Sequence, residues 1–340
     1  MQASGATVYD FDVSLRCQRV FYSDYCNLDF YVYVEQTENG ISLLFCGKSG
    51  CPVCRETERN LIANFRYNPM PSLKNIQAMD VFFMNPLSSL YNSLFIHQIP
   101  NAVNDCKIAV ACDDRMIYEL FCKALREKGY NYNYGGLLFI IDKYGEKFYV
   151  VENEHAYSYD RILSICCKNA FEKGKNVAVG ETAPGILEQL ADEYNCKLFR
   201  LYEAEQEITD EEMTALSENP WVFDGLFCIA QLLHILQNTN KSIRQLSDAL
   251  PECFIKNFSV PYEGQPKTFR QNLCNSGAFR SQNRSGYYEW EDERGTIWVK
   301  SDAACKNIRV LIEADSIELS RELSADATEK IKNCAIDKFC

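Results

Sequence analysis

Two hydrophobic patterns alternate along the chain, short apolar runs and apolar positions at a spacing of three to four residues. Lys107-Ile-Ala-Val-Ala111 reads as a buried strand. Ile117, Leu120, Phe121, Ala124 and Leu125 then fall on one helical face, with Asp113 or Asp114 as the cap and Gly129 as the stop. Leu137 to Ile141 is the next strand, and Lys143-Tyr-Gly145 its turn. Tyr159 to Phe171 predicts a helix and Asn176 to Val179 a strand. Pro184 opens a helix whose Ile186, Leu187, Leu190, Ala191 and Tyr194 share a face, and Lys197 to Leu201 returns as a strand. Asp224 to Gln237 is apolar around most of its girth, which predicts a buried helix, and Ser242 with Gln245 spells a capping box. Strands alternating with helices imply a mostly parallel sheet covered on both faces.

The two ends read differently. Near the C-terminus, Thr296 to Val299 and Ile308 to Ile312 are β-branched and apolar, as strands require, and Asp315 or Ser316 is placed to cap a helix through Lys332. Near the N-terminus, Ala6 to Asp10 is a short strand and Val13 to Tyr22 a helix. Leu28 to Val34 and Gly40 to Phe45 are paired strands joined by the polar turn Glu35-Gln-Thr-Glu-Asn39.

The stretch from Gly295 to Ser316 resembles the fourth domain of the α-D-phosphohexomutases, the phosphomannomutase and phosphoglucomutase superfamily. Leu246 to Pro251, Asp224-Gly225 opening a long apolar helix, Gly136 to Gly145, and Asn39 to Phe45 followed by Gly50 and Pro52 are similar to further family segments, in the family's order. Several of them look closest to the degenerate mutase-like modules fused behind bacterial mannose-1-phosphate guanylyltransferases. The resemblance implies a multidomain α/β fold with mixed, mostly parallel sheets covered by helices and a C-terminal α+β domain. It divides the chain into an incomplete first domain at 1–104, a shortened second at 105–150, a third α/β domain at 151–250 and a fourth at 251–340. The family's opening strand, helix and phosphate loop have no counterpart, so Met1 is expected to mark a fragment boundary or the detached tail of a fusion.

Phosphohexomutase chemistry needs a hydroxyl nucleophile, a divalent cation, a sugar-orienting loop and a cationic phosphate clamp. Where the family carries Ala-Ser-His-Asn-Pro, this chain has Glu35-Gln36-Thr37-Glu38. Thr37 keeps a hydroxyl, but flanking glutamates repel a phosphate. Where the family carries Asp-Gly-Asp-x-Asp-Arg, this chain has Tyr132-Asn-Tyr-Gly-Gly-Leu137 and no carboxylate. Asp142 reads as a turn residue, and Asp113-Asp114-Arg115 as a cap and first-turn charge. The sugar loop Gly-Glu-x-Ser-Gly-His has Ser217-Glu218-Asn219-Pro220-Trp221 as its nearest match, leaving Glu218 and Trp221 as candidate sugar contacts. Trp221 has the alternative role of a core anchor. Lys300, Ser301, Lys306 and Arg309 are the candidate phosphate-binding residues. A basic turn that guards an edge strand is the competing reading, and Asp302 opposes an anion there.

Cys46, Cys51 and Cys54 supply a third possibility, a zinc or redox centre, with His97 and Cys106 as later candidate ligands. Cys166-Cys167 and His234 read as core. The chain of 340 residues has 47% apolar and 24% charged residues, as globular proteins do. A net charge of −12 argues against nucleic acid or an anionic membrane as partner. Seventeen scattered cysteines, an odd number, with no signal-peptide pattern and no membrane-length apolar run, point to reduced thiols in a cytoplasm.

The expectation is a non-catalytic phosphohexomutase-like module in hexose-phosphate or nucleotide-sugar metabolism. Its partners would be a hexose phosphate and a sugar-1-phosphate nucleotidyltransferase, and it would need no cofactor. The alternatives are an active phosphomannomutase or phosphoglucomutase, which would require Mg²⁺, and the cysteine-based zinc or redox protein.

Overall fold

The computed structural model describes residues 6–37, 40–48, 50–53, 55–67, 81–103, 107–131, 136–201, 208–262, 269, 271–273, 287–301 and 307–335. The N-terminal part contains β1 (Val8–Asp10), α1 (Arg19–Tyr25), β2 (Tyr31–Thr37), β3 (Gly40–Cys46), α2 (Arg55–Tyr67), β4 (Val81–Phe83) and α3 (Asn85–Gln98). β1 pairs in parallel with β4, and β2 with β3 forms an antiparallel hairpin. The helix expected from Val13 starts later. Leu15 is extended, its amide donates to the Gln18 side chain, and a 3-10 turn at Arg16–Gln18 precedes α1. The following strand is also displaced, because Asn27 takes a left-handed φ of 47° and Leu28 N closes back on Ser23 O.

The middle of the chain runs β5 (Ile108–Cys112), α4 (Arg115–Glu127), β6 (Leu137–Ile141), β7 (Phe148–Glu152), β8 (His155–Tyr157), α5 (Tyr159–Phe171), β9 (Val177–Gly180), α6 (Ile186–Glu193), β10 (Leu198–Leu201), α7 (Asp210–Glu218), α8 (Gly225–Thr239) and α9 (Ile243–Asp248). The caps are local: Asp114 accepts from Ile117 N, Ser158 from Arg161 N, and Ser242 and Gln245 close a reciprocal box. β5, β6, β7 and β8 form one sheet, parallel at β5–β6 and antiparallel beyond. The antiparallel pairs arise at tight turns, such as Asn153-Glu154, where both φ values are positive. β9 and β10 pair in parallel. Val177 and Val179 of β9 join the main core with α5, α6 and α8, whereas Ala178 turns to the other side, where it packs with Ala215 and Leu216 of α7. β9 is therefore covered on both faces. α8 buries Leu226, Cys228, Ile229, Leu232, Leu233 and Ile235, and ends at Asn240 in the left-handed region.

The C-terminal part holds β11 (Phe254–Pro261), β12 (Tyr288–Asp292), β13 (Gly295–Ser301), β14 (Asn307–Ala314) and α10 (Ile317–Ala335). These four strands form an antiparallel sheet in the order β11-β14-β13-β12. Ile297, Val299, Ile308, Val310 and Ile312 on one face pack under Leu323, Ala327 and Ile331 of α10, making a core separate from the main one. Ser316 Oγ accepts from Leu319 N at the start of α10. Among the described residues, no helix is long and apolar enough to cross a membrane.

Candidate functional site

The β2–β3 hairpin and the turn after β6 meet through side chains. Asp142 shapes that turn: its Oδ1 accepts from Tyr144 N and Glu146 N at 3.1 and 3.0 Å, and its Oδ2 from Lys147 N at 3.3 Å. Gly145, at φ 72°, supplies the left-handed step. Lys143 and Tyr144 thereby point at Glu35. Lys143 Nζ lies 2.8 Å from Glu35 Oε1, and Tyr144 Oη donates to the same carboxylate at 3.1 Å. The hydrogen bond from Lys143 holds the Glu35 carboxyl below its usual range, and the same bond raises the Lys143 ammonium. Two residues on, Thr37 Oγ1 donates to Gly40 O at 3.0 Å, while Glu38 lies outside the described residues.

Behind this turn, Glu146 receives both Arg16, at 3.2 Å, and Arg19, and the Arg16 guanidinium also lies 4.6 Å from the centre of the Tyr144 ring. Arg19 Nε reaches Gly50 O at 2.9 Å. The backbone seals the same junction, with Cys17 N on Tyr144 O at 3.2 Å and Gly225 N on Gly145 O at 2.9 Å.

The described donors around the Asp142 turn do not fit a magnesium ion. Asp142 has both oxygens on backbone amides, and Tyr132 to Gly135 lie outside the described residues and contribute no carboxylate. Among the described residues, no three His, Cys, Asp or Glu side chains converge as a metal set would.

The clamp residues separate by strand geometry. Lys300 on β13 sits directly opposite Arg309 on β14, and Ser301 opposite Ile308. Opposed residues share a face and successive residues alternate. Lys300 and Arg309 therefore share the face turned away from α10, whereas Ser301 joins the buried α10 face with Ile308. Lys300 is buried at 6% exposure, with its ammonium 3.2 Å from Glu181 Oε1 and 4.7 Å from the centre of the Tyr287 ring. Arg309 is exposed. Asp302 and Lys306 lie outside the described residues. Nearby on the Lys300 face, Glu313 accepts from Gly185 N and from the Cys253 thiol, each at 3.0 Å, so this side of the sheet docks onto the loop after β9.

Glu218 and Trp221 do not form one surface. Trp221 is buried in the main core at 7% exposure, where stacking on a sugar is sterically closed, while Glu218 is exposed at the end of α7. Only Asn219 to Asp224 separate α7 from α8. A 3-10 turn at Pro220–Val222 fills that gap and buries Trp221 and Val222.

Solved phosphohexomutases share this arrangement along nearly the whole chain. A phosphoglucomutase/phosphomannomutase family protein from Burkholderia thailandensis superposes on 99% of this chain and 85% of its own, with TM-score 0.64 and 12% identity. The fold is phosphohexomutase-like. The Paramecium phosphoglucomutase parafusin, in an open form, covers 97% of this chain and 83% of its own at TM-score 0.58 and 10% identity. N-acetylphosphoglucosamine mutase from Aspergillus fumigatus, solved with GlcNAc-6P and magnesium, covers 94% and 92% at TM-score 0.56 and 9% identity. No protein-family model matches the sequence, and a search of curated proteins finds no match.

On this phosphohexomutase-like fold, several residues that bind the units together escape a sequence reading. Arg16, Arg19, Tyr91, Tyr144 and Glu181 each act on a partner far away in sequence, and no local spacing marks them. Cys46 is fully buried, its thiol pushed up to about 11 by burial, Cys51 is half-buried, and Cys54 and Cys106 lie outside the described residues. His234 bonds Gln98 O at 2.8 Å from α8, and His97 is exposed.

Proposed function

We propose that this chain is a non-catalytic phosphohexomutase-like module that acts in hexose-phosphate or nucleotide-sugar metabolism, binding a sugar phosphate weakly and working beside a sugar-1-phosphate nucleotidyltransferase. The observation that carries this reading is the Glu35 carboxylate. It stands on β2, two residues from the Thr37 hydroxyl, and is fastened there by Lys143 and Tyr144. A phosphoryl group on Thr37 would meet a carboxylate that already engages the nearby Lys143 ammonium, where transfer chemistry needs cations free to face the phosphate. Thr37 also donates its proton to Gly40 O instead of to a base. The 3-10 turn at Pro220–Val222, which buries Trp221 in the core, supports the same conclusion.

Residual anion affinity would come from Arg309 beside Lys300, with Lys306 as a further contributor. Glu181 already neutralises Lys300, so binding of about −4 kcal/mol, in the millimolar range and sensitive to salt, is the expectation. Hexose 1-phosphates and N-acetylglucosamine 6-phosphate are the ligands to try.

The test is ³¹P NMR of the purified protein with Mg²⁺, a hexose bisphosphate activator and each sugar phosphate in turn. No isomerisation is expected with any of them. Turnover that disappears in Thr37→Ala would establish an active mutase and overturn the reading. For the partner, affinity purification from the native source should recover a sugar-1-phosphate nucleotidyltransferase.

A further inference from the structure

A groove of about 770 Å³ runs between β11 and α10, on the face of the C-terminal sheet opposite Lys300. Its chemistry stands apart from the rest of the molecule. Among the described residues, the rim carries Lys256 from β11 and Arg321 and Lys332 from α10, against one carboxylate, Glu329. The chain as a whole carries a net charge of −12. Among the described residues, no ion pair involves any of the three cations. The floor is apolar: the half-buried Phe258 ring, with the Lys256 ammonium 5.5 Å above its centre, lines it with Ala325 and Thr328.

Geometry selects a linear occupant. Positions 321, 325, 328 and 332 recur at the spacing of one helical face, so the helical wall is a stripe and not a patch. At about 1.5 Å per residue, Arg321 and Lys332 stand roughly 16 Å apart along the axis. That is the reach of about five residues of extended chain. The cations sit at both ends and across the groove, with the apolar floor between them. A nucleic acid of similar length would bring a phosphate for every nucleotide against a protein of net charge −12, which local cations do not offset. A short peptide brings carboxylates only where its sequence places them.

We propose that this groove binds an extended acidic peptide segment of a partner protein, with an apolar side chain on Phe258 and Ala325 and carboxylates at Lys256, Arg321 and Lys332. The reading is independent of the sugar-phosphate proposal, since it uses the other face of the sheet.

Fluorescence anisotropy tests it, with a labelled Glu-Leu-Asp-Phe-Glu peptide titrated with the full chain at low salt. Saturable binding of the order of 0.1 mM is expected. The affinity should fall at least tenfold in Lys256→Glu/Lys332→Glu, and at high salt in the wild type. Lys123→Glu, a charge reversal on the distant α4, should leave it unchanged. All three lysines are exposed, so the variants should fold, and circular dichroism would verify it. No saturable binding, equal binding of Lys-Leu-Lys-Phe-Lys, or retention of affinity in the double variant would overturn the proposal. Tighter binding of a labelled oligothymidylate would overturn it too, by showing a general polyanion site.

Discussion

Tyr91 on α3 donates a 2.6 Å hydrogen bond to Asp224 Oδ2, at the start of α8 and 133 residues further along the chain. The other oxygen of Asp224 caps α8 through Leu226 N and Phe227 N at 2.9 and 3.2 Å. Cys17 Sγ lies 3.6 Å from the Tyr91 hydroxyl and extends the network to the N-terminal segment. One carboxyl thus joins three distant stretches of sequence.

Burial pushes the Asp224 carboxyl up to about 7, although Tyr91, the two amides and the charge of Arg19 all favour its ionised form. The folded state therefore keeps this proton between about pH 4 and pH 7, while the unfolded chain releases it near the ordinary aspartate value. Stability from this group is complete below about pH 4 and declines through pH 7, by roughly 4 kcal/mol in all. Asp224→Asn keeps the size and a cap acceptor but cannot ionise. Urea denaturation from pH 4 to 8 should show the wild type losing stability relative to Asp224→Asn across that window, with the difference level above it. Parallel pH profiles for the two proteins would refute the assignment.

The backbone approach at the same junction gives a second prediction. A Cβ at Gly225 would meet Gly145 O at 2.6 Å and the Glu146 carbonyl carbon at 2.9 Å, and both are main-chain atoms that cannot rotate away. Gly225→Ala should cost roughly 1–3 kcal/mol, even though alanine is the better helix former. A denaturation midpoint equal to or above the wild type would show that the two turns have freedom to separate.

Local signals in the sequence translated into structure, and distant ones did not. Asp114, Ser242 with Gln245, and Ser316 cap helices because their partners lie three residues away, within reach of a spacing argument. Glu35 reads as a turn glutamate until Tyr144, 109 residues later, is brought against it. Trp221 carries the same composition signal whether it faces a sugar or a core, and only its burial in the folded chain decides in favour of the core. The separation of Lys300 from Ser301 was missed, because the apolar run ends at Val299 whereas the strand continues through Ser301. Neighbours on one strand point to opposite faces, so a strand running through both residues divides them. The mutase-like order of elements was legible, since it depends on the sequence of local patterns and not on the loops that carry chemistry.

Arg161 predicts how the end of α9 is held. Its guanidinium donates to Ser247 Oγ at 2.8 Å, to Ser247 O and Pro251 O at 2.6 Å each, and to Leu250 O at 3.2 Å. These carbonyls close the segment that leads into β11, and the planar fork of an arginine meets them from one position on α5. Arg161→Lys keeps the charge but offers one point donor in place of the fork. It should lose roughly 2 kcal/mol of stability, most of what Arg161→Ala loses. Hydrogen exchange at Leu250 and Glu252 should quicken in both variants. Full recovery by lysine would mean that charge alone matters at this position.

The pairing of Lys300 with Glu181 yields the last prediction, and it bears on whether the clamp residue binds a ligand or braces the fold. Both side chains are over nine-tenths buried, at 8% and 9% exposure. Removing one member of a buried pair leaves the other charge without its main counter-ion, so Lys300→Met should cost about 3 kcal/mol or more. Replacing both with apolar residues removes that penalty, so Lys300→Met/Glu181→Leu should recover most of the loss. If phosphate binding instead kept Lys300 in place, Lys300→Met would be nearly neutral to folding without ligand. The double variant would then be no more stable than the single. A thermal-unfolding cycle of the four proteins, with and without mannose 1-phosphate, separates the two. The expected outcome is a strongly non-additive cycle whose coupling is the same at both ligand conditions, because Glu181 and not a sugar phosphate is the group that Lys300 neutralises.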